Sequence, residues 1–382
     1  MDFFLDPQTI ELRDMCRAFA QKEIAPNAAQ WSADHYFPAE VFQKMGNLGL
    51  MGMLVPEEYG GVDAGYVAYV TAMQEIGMAD QSVASSWNAH STIASLPIAQ
   101  FGTHEQKEKW LRPLASGTHI GAFGLTESTA GSDAAAIRTR ATRDAGGWLI
   151  DGSKMFITNA GTPISLGVTI LAVTGGHDGK KQYGTFFIPS GTAGFSLGQP
   201  LRKLGWHACD TRELVFNNCW IPEDNLIGDE GRGLRQFLEV LDAGRISVAA
   251  LSLSLAEAAL RLAIRQSKDR EQFGRPIHKF QAVSHKIADM ATDVETARWL
   301  VYRAAWLADT GQPFSEAAAM AKLHASEVAN DVARQSLQLH GGYGYMLESD
   351  ISRFYADAKI LEIGEGTNEI QRNIIARIVL NR

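Results

Sequence analysis

The sequence is poor in cysteine, with Cys16, Cys209 and Cys219 as its three thiols in 382 residues. They form no CxxC pair, which argues against a zinc site and a disulfide framework, and a reducing cytoplasm is the predicted location. The opening residues, MDFFLDPQTIELRD, lack a basic region followed by an apolar run, so no signal peptide is predicted. No stretch approaches the ~20 continuous apolar residues of a spanning helix, so no integral membrane association is predicted.

Basic charge is also scarce, because 35 Lys and Arg face 43 Asp and Glu and the formal net charge is −8. Without a basic stripe to neutralise phosphates, nucleic acid is excluded as the main partner. A few well-placed arginines can still hold a phosphate-bearing ligand.

Several catalytic and nucleotide motifs are missing as well. The ten histidines show no HExxH or other metal-ligand spacing, so no metal is predicted, and no GxSxG nucleophile elbow occurs. The sequence also lacks GxxxxGK[ST], and no GxGxxG follows a predicted strand. These absences disfavour hydrolytic triads, nucleoside-triphosphate loops and Rossmann dinucleotide sites.

Periodicity divides the chain into three parts. Apolar residues recur at helical spacing in the first third, short β-type runs rich in aromatic and β-branched residues fill the middle, and long helical patterns begin near residue 230. The predicted fold is therefore mostly α with a central β-domain. It comprises an N-terminal α-helical domain (1–119), a middle β-barrel domain (120–228) and a C-terminal four-helix bundle (229–382).

Two segments and one arginine could form a binding site. GAFGLTESTAGSD (121–133) can bring backbone N–H groups to a ligand, although most such loops only connect domains. KMFITNAG (154–161) places Phe156 and Thr158 on one face of a strand, which suits a flat heteroaromatic cofactor and equally an ordinary barrel edge. Arg245 lies on an apolar helical stripe, where it either faces a cleft or pairs with Asp242.

Glu365 stands between Gly364 and Gly366, before a predicted helix, in KILEIGEGTNEIQRNII (359–375). Carboxylates usually lie on solvated faces, whereas the flanking glycines allow this backbone to approach a ligand closely. An apolar pocket would raise the pKa of such a carboxylate towards the working pH and make it a better base.

Five segments in this order resemble the signatures of the acyl-CoA dehydrogenase family, in a short- or medium-chain form. They are LTESTAGSD, GSKMFITNA, DREQFGRPIHKFQAV, LQLHGGYGY and IGEGTNEIQR. The first differs from the family pattern at Ser128, where proline is usual. Gly364 likewise replaces a common tyrosine, so the wall of the pocket differs there.

The resemblance implies an FAD-dependent oxidation of an acyl-CoA thioester to trans-2-enoyl-CoA. Glu365 would abstract the α-proton and assist the thioester carbonyl through its N–H, while the β-hydride goes to flavin N5. Some relatives carry the base at the position of Gly244, which cannot serve. The implied pathway is fatty acid β-oxidation, the implied acceptor an electron-transfer flavoprotein, and the implied assembly a homotetramer made of two dimers.

The resemblance also assigns binding residues by position. Those implied for FAD are Phe123, Leu125, Thr126, Phe156, Thr158, Arg270, Phe273, Gln281, Gln338, Gly341, Gly342, Thr367 and Glu369. Those implied for acyl-CoA are Ser132, Asp242, Arg245 and Gly366. The alternatives are an acyl-CoA oxidase and a non-catalytic relative that binds flavin or acyl-CoA, against which the intact Glu365 argues.

Ala84, Trp87 and Asn88 fall where the family shapes the far end of its acyl pocket. An indole at Trp87 would remove room for several methylenes, although Trp87 could equally be core packing. No arginine occurs between residues 80 and 97, so a second carboxylate on the substrate would be unpaired. Short to medium monocarboxylic acyl chains are therefore the predicted substrates.

Overall fold

The computed structural model describes residues 5–177 and 180–381. Its first third is helical, as the periodicity predicts. The helices are α1 Pro7–Phe19, α2 Ala28–Asp34, α3 Ala39–Asn47, α4 Gly65–Ala79, α5 Gln81–Asn88, α6 Ser95–Phe101, α7 His104–Gln106 and α8 Arg112–Ala115.

The junction between α4 and α5 aims the second helix towards the C-terminal part of the chain. Asp80 is extended, ends α4 and caps α5 by accepting the Val83 N–H at 2.8 Å. Its carboxylate thereby satisfies a donor that the first helical turn leaves free. After α5 the chain continues as one π-helical turn, Ala89–Ala94, which changes the direction of the side chains around it.

The middle third folds into a single eight-stranded sheet within the described part of the chain. Its strands are β1 Ile120–Gly124, β2 Arg140–Asp144, β3 Gly147–Thr158, β4 Ser165–His177, β5 Lys180–Pro189, β6 Phe195–Leu197, β7 Thr211–Pro222 and β8 Leu226–Ile227. The order is β6-β7-β3-β2-β4-β5-β8, and β1 pairs parallel to β4 with Phe123 opposite Thr169. Buried side chains from six of these strands form one cluster, so the sheet encloses its own core.

Long helices form the last third. They are α9 Gly233–Asp269, α10 Gln281–Asp309, α11 Ser315–His340, α12 Asp350–Ala358 and α13 Asn368–Leu380, with a hairpin of β9 Glu271–Gln272 and β10 Arg275–Pro276 between α9 and α10. The largest apolar cluster joins this part to the N-terminal helices through residues such as Ile76, Leu251 and Val332. The predicted order of helices, β-domain and helices is confirmed. The boundaries at 119/120 and 228/229 stay predictions.

Helix α9 is the one described helix whose length and composition would allow it to cross a membrane. However, 78% of its most apolar stretch is buried inside the protein. This burial is typical of the central helix of a helical core, where neighbouring helices cover every side.

Helices α4 and α9 approach closely at Gly77. A Cβ added at Gly77 would lie 2.1 Å from Ser254 Oγ, which also accepts a hydrogen bond from Gln81 Nε2 at 2.9 Å. We expect Gly77→Ala to lower the free energy of unfolding by about 1–3 kcal/mol, because overpacking forces the helices apart. Thermal unfolding would measure this, and adding Ser254→Gly should restore part of the loss. Gly131→Ala is the matched control, because nothing lies within 4 Å of its Cβ.

Candidate active site

Glu365 is held in an unusual backbone conformation between α12 and α13. Its φ is +52° and that of Gly366 is +91°, and the first of these is rarely adopted by a residue with a side chain. Lys322 Nζ donates to Gly366 O at 2.9 Å, and Gln371 Nε2 donates to the same oxygen at 2.9 Å. Two side chains thus fix the peptide that follows Gly366, which compensates for the strained conformation of this loop.

The two oxygens of the Glu365 carboxylate have different surroundings. Oε1 accepts a hydrogen bond from Asn88 Nδ2 at 2.8 Å. Oε2 is buried and has no hydrogen-bond partner among the described residues. It lies against α9 at Gly244, where an added Cβ would be 2.1 Å away and 3.2 Å from Ile93. A side chain at Gly244 would therefore occupy the space that this carboxylate fills.

Burial raises the pKa of Glu365 to about 7, although Asn88, Lys322 and Arg245 all act to lower it. The residue as a whole is part-exposed, but its carboxyl group lies in the interior. Desolvation dominates because the charged form loses water that one amide cannot replace. Near neutral pH this carboxyl can therefore accept and release a proton.

Arg245 and Asp242 form an ion pair at the same end of α9, in close contact. Asp242 also accepts a short hydrogen bond from Ser315 Oγ at the start of α11. Arg245 is buried and its Nε has no partner among the residues that the structure describes. The structure therefore combines the two predictions for Arg245, because it pairs with Asp242 and still offers an unused buried donor near Glu365.

Trp87 precedes Asn88 on α5 and belongs to the largest apolar cluster. It is fully buried, and its indole N–H donates to Leu50 O at 3.0 Å. Its ring packs against that of Tyr69, with the centroids 5.0 Å apart. Burial raises the pKa of Tyr69, and the nearby charge of Glu365 adds to this effect. These contacts favour the alternative that Trp87 is core packing.

The residues predicted to face the flavin lie on two neighbouring pieces of the sheet. Phe156 has a φ of +63° at an irregularity of β3, and 64% of it is exposed. Thr158 follows on β3, while Leu125 and Thr126 come directly after β1 and are part-exposed. Met155 N–H donates to Thr126 O at 2.8 Å and joins the two pieces. Phe123 is buried and stacks on Phe237 of α9 at 4.3 Å.

A buried ion pair joins the loop after β1 to strand β3. Lys154 Nζ contacts Glu127 Oε1 at 2.9 Å and Leu125 O at 3.2 Å, and neither side chain reaches the surface. Glu127 also accepts the Thr139 N–H at 2.9 Å and the Arg138 N–H at 2.7 Å. Because the charges and lone pairs are satisfied, the pair fixes the loop after β1 against β3.

A second cluster of predicted residues lies at the other end of the bundle. A cavity of about 570 Å³ is lined by Arg270, Gly341 and Gly342 together with Gln266, Gln272, Ile277, Leu339, His340, Tyr343 and Met346. Gly341 has a φ of +60°, and a Cβ at Gly341 or Gly342 would meet nothing within 4 Å. The backbone there is open to a ligand.

The remaining predicted residues are exposed or lie apart within one chain. Phe273 is 93% exposed, with a φ of +52°. Ser132, Gln281, Gln338 and Glu369 are also on the surface. Thr367 caps α13 by accepting the Ile370 N–H at 3.4 Å. The described residues contain no group of three or more potential metal ligands.

Sequence reasoning missed Lys322 and the pairing of Lys154 with Glu127. Lys322 is fully buried on α11, and it lies between Ala318 and Ala325 on an otherwise apolar helical face. A lysine on such a stripe signals a buried partner, because an unpaired ammonium in a core is costly. No comparable pattern joins Lys154 to Glu127, since Glu127 lies in the loop after β1 and Lys154 lies on β3.

Comparison with known proteins agrees with this architecture. Family models match the N-terminal domain of acyl-CoA dehydrogenase at residues 6–118, the middle domain at 122–219 and the C-terminal domain at 231–380. The chain belongs to the acyl-CoA dehydrogenase family. This membership confirms the resemblance seen in the sequence and makes the protein an oxidoreductase, an acyl-CoA dehydrogenase.

Individual relatives match over the whole chain. The "Probable acyl-CoA dehydrogenase YngJ" of Bacillus subtilis is 45% identical over 381 residues, which cover 100% of both chains. The solved butyryl-CoA dehydrogenase of Megasphaera elsdenii superposes with a TM-score of 0.96 at 40% identity, again over 100% of both chains. A chain from a structure described as "Electron transferring flavoprotein of Acidaminococcus fermentans" has a TM-score of 0.96 at 42% identity and the same coverage.

The raised pKa of Glu365 gives a prediction about stability. A carboxyl whose pKa is 4.5 in the unfolded chain and about 7 in the folded one lowers the free energy of unfolding. This loss of stability is complete above pH 7 and disappears as the pH falls from 7 to 4.5. We expect Glu365→Gln to stabilise the protein by about 2–3 kcal/mol at pH 8.5 and by much less at pH 5. Thermal unfolding at both values measures the difference. The exposed Glu348→Gln should show no such pH-dependent gain, and an equal gain at both pH values would contradict the prediction.

Proposed function

We propose that the protein uses FAD to convert an acyl-CoA thioester to trans-2-enoyl-CoA, with Glu365 as the base that removes the α-proton. The observation that carries this proposal is the buried carboxylate with a free Oε2 and a pKa of about 7. A general base is most effective when its pKa lies near the working pH. Among the alternatives, an inactive relative has no need for so costly a group.

The strained backbone has a place in this proposal. The positive φ of Glu365 turns its side chain and its N–H away from the regular path between two helical segments. We assign the N–H the role of donating to the thioester carbonyl, where it would stabilise the negative charge that develops as the α-proton leaves. Lys322 and Gln371 hold the carbonyl of Gly366, the next residue along, and so restrain the loop that carries this donor.

The residues of the sheet fit a flavin ring. Phe156 presents an aromatic face that is largely exposed, and Thr126 and Thr158 add polar groups beside it. The cavity lined by Arg270, Gly341 and Gly342 offers a cation and bare backbone, which suit a diphosphate. Bound FAD supplies the acceptor for the β-hydride. Within one chain these two regions are separate, so we propose that the second serves the flavin of a neighbouring subunit in a homotetramer.

For the substrate we propose short to medium monocarboxylic acyl chains. The butyryl-CoA dehydrogenase among the structural relatives supports a short chain. The sequence-based prediction puts Trp87 at the far end of the acyl pocket. We propose that Tyr69, whose ring packs against Trp87, closes that end instead. A Cβ at Gly364 would meet one atom, Ile360 O, at 3.5 Å, so the missing tyrosine leaves room there, which would admit a branched chain. Asp242, Arg245, Ser132 and Gly366 are proposed to contact acyl-CoA.

Electrons would pass to an electron-transfer flavoprotein, as the similarity to the Acidaminococcus fermentans chain suggests. A cytoplasmic location and a place in fatty acid β-oxidation complete the proposal. The three cysteines are all free and buried, which agrees with a reducing compartment.

An anaerobic titration with butyryl-CoA tests the central proposal. The wild-type flavin absorbance should bleach, whereas Glu365→Gln should bind FAD normally and bleach at least ~10²–10⁴-fold more slowly, because an amide cannot accept the proton. Rapid recovery of the colour in air would indicate an oxidase. Bleaching of Glu365→Gln at the wild-type rate would place the base elsewhere.

The assembly is tested at Arg270. We expect Arg270→Ala to weaken FAD retention about 10-fold or more, since it removes a charge-assisted contact, without lowering the thermal midpoint of the apoprotein. FAD content after dialysis and subunit mass by light scattering measure both. Arg265→Ala is the matched control, because this exposed arginine near the end of α9 does not line the cavity. A monomeric wild-type protein with a full complement of FAD would contradict the shared site.

A further inference from the structure

Asn88 makes the one side-chain hydrogen bond to the Glu365 carboxylate within the described chain. It is the last residue of α5 and is nearly fully buried, and its Nδ2 lies 2.8 Å from Glu365 Oε1. The two residues are 277 positions apart in sequence. The contact therefore joins the N-terminal helices to the loop before α13 at the reacting group itself.

This hydrogen bond makes the two carboxylate oxygens unequal. Oε1 has a donor, whereas Oε2 is enclosed without one beside Gly244. A carboxylate has several lone pairs and can rotate between equivalent positions, but an amide that donates to one oxygen fixes the rotation. The oxygen left free is the one that can take a proton from a ligand.

The position of Asn88 is itself fixed from both sides. Thr92 Oγ1 donates to Asn88 O at 2.9 Å from within the π-helical turn and contacts Ser247 of α9 at 3.1 Å. Asn159 Nδ2 donates to Ser86 O at 2.9 Å and ties α5 to the sheet. Because the helix cannot easily shift, the amide remains at a set distance from the carboxylate.

We propose that Asn88 is a positioning residue for the dehydrogenation, which holds Glu365 through Oε1 and so selects Oε2 as the atom that receives the α-proton. The inference rests on the proposed role of Glu365 as the base. In the step, the C–H bond at the α-carbon breaks and an O–H bond forms at Oε2, while the electron pair left on the α-carbon forms the α,β double bond as the β-hydride departs. Asn88 exchanges no proton and donates to Oε1 before and after the transfer.

The other charged groups around Glu365 cannot replace this contact. Lys322 of α11 and Arg245 of α9 favour the ionised carboxylate, but Lys322 donates to Gly366 O and Asn368 Oδ1, and Arg245 pairs with Asp242. Tyr69 faces the carboxylate from α4. Glu362 and Glu369 lie further out and act on Lys322. Loss of the amide would therefore leave Glu365 with charges nearby and no directional donor.

The pH dependence of turnover tests the proposal with Asn88→Leu, which keeps the shape and removes the donor. A hydrogen bond to the carboxylate favours its ionised form, so losing it raises the pKa of Glu365. The acidic limb of the kcat/KM profile should move to higher pH by about one unit, because a hydrogen bond to a charged group contributes a free energy equivalent to a pKa shift of about this size. An α-deuterated acyl-CoA confirms that proton removal limits the rate. Ser85→Ala, which removes a buried hydroxyl that donates to Ser82 O on the same helix, should leave the limb in place.

Infrared difference spectra of the resting holoenzyme give a readout without turnover. The carboxylic acid band that is absent from Glu365→Gln belongs to Glu365. The pH at which this band titrates should rise in Asn88→Leu and rise further in Asn88→Asp, where a second carboxylate repels the charge.

Flavin content and thermal midpoints show whether each variant folds. If Asn88→Leu folds and titrates like wild type while Glu365→Gln is inactive, the positioning role is wrong. Activity in Glu365→Gln would instead overturn the proposed base.

Discussion

The structure depends on keeping one carboxylate out of water. Burying Glu365 raises its pKa to about 7, which is unfavourable for folding at neutral pH and favourable for proton transfer. Every element near it limits this cost in some way. Gly244 leaves space on α9, Asn88 supplies one hydrogen bond from α5, and Lys322 supplies positive charge from α11. Apolar residues of these three helices also belong to the largest apolar cluster, which the helical domains share.

Backbone strain accompanies part of the proposed site. Among the nine described residues that combine a side chain with a positive φ are Glu365, Phe156 on the sheet and Phe273 on the hairpin after α9. Each of these three is a position to which the family resemblance assigns a role at the site. Such conformations persist where the surroundings determine them strongly, as the hydrogen bonds to Gly366 do beside Glu365. The other six, which include His35 and Trp206, have no assigned ligand contact, so a positive φ by itself does not mark the site.

Buried lysines stabilise the two halves of the proposed site in a similar manner. Lys322 holds the loop of the base, and Lys154 with Glu127 holds the loop after β1. Burial lowers the pKa of each of these lysines to about 8. An ammonium without water requires fixed acceptors, so it imposes one geometry on the loops that provide them. Precise placement of reacting groups is what such rigid support makes possible.

The sequence by itself determined the helix, sheet and helix order, because apolar periodicity of 3.6 or 2 residues is a local property. It also made Glu365 and Arg245 candidates for the site, since a carboxylate between glycines and a cation on an apolar stripe are visible in one segment. Tertiary structure alone decided that Asn88 meets Glu365 across 277 residues and that Trp87 turns into the core. Lys154 and Glu127 likewise form their ion pair only when the loop after β1 packs against β3. Hydrogen bonds and burial at long sequence separation depend on how helices and strands pack, and no spacing within a single segment encodes them.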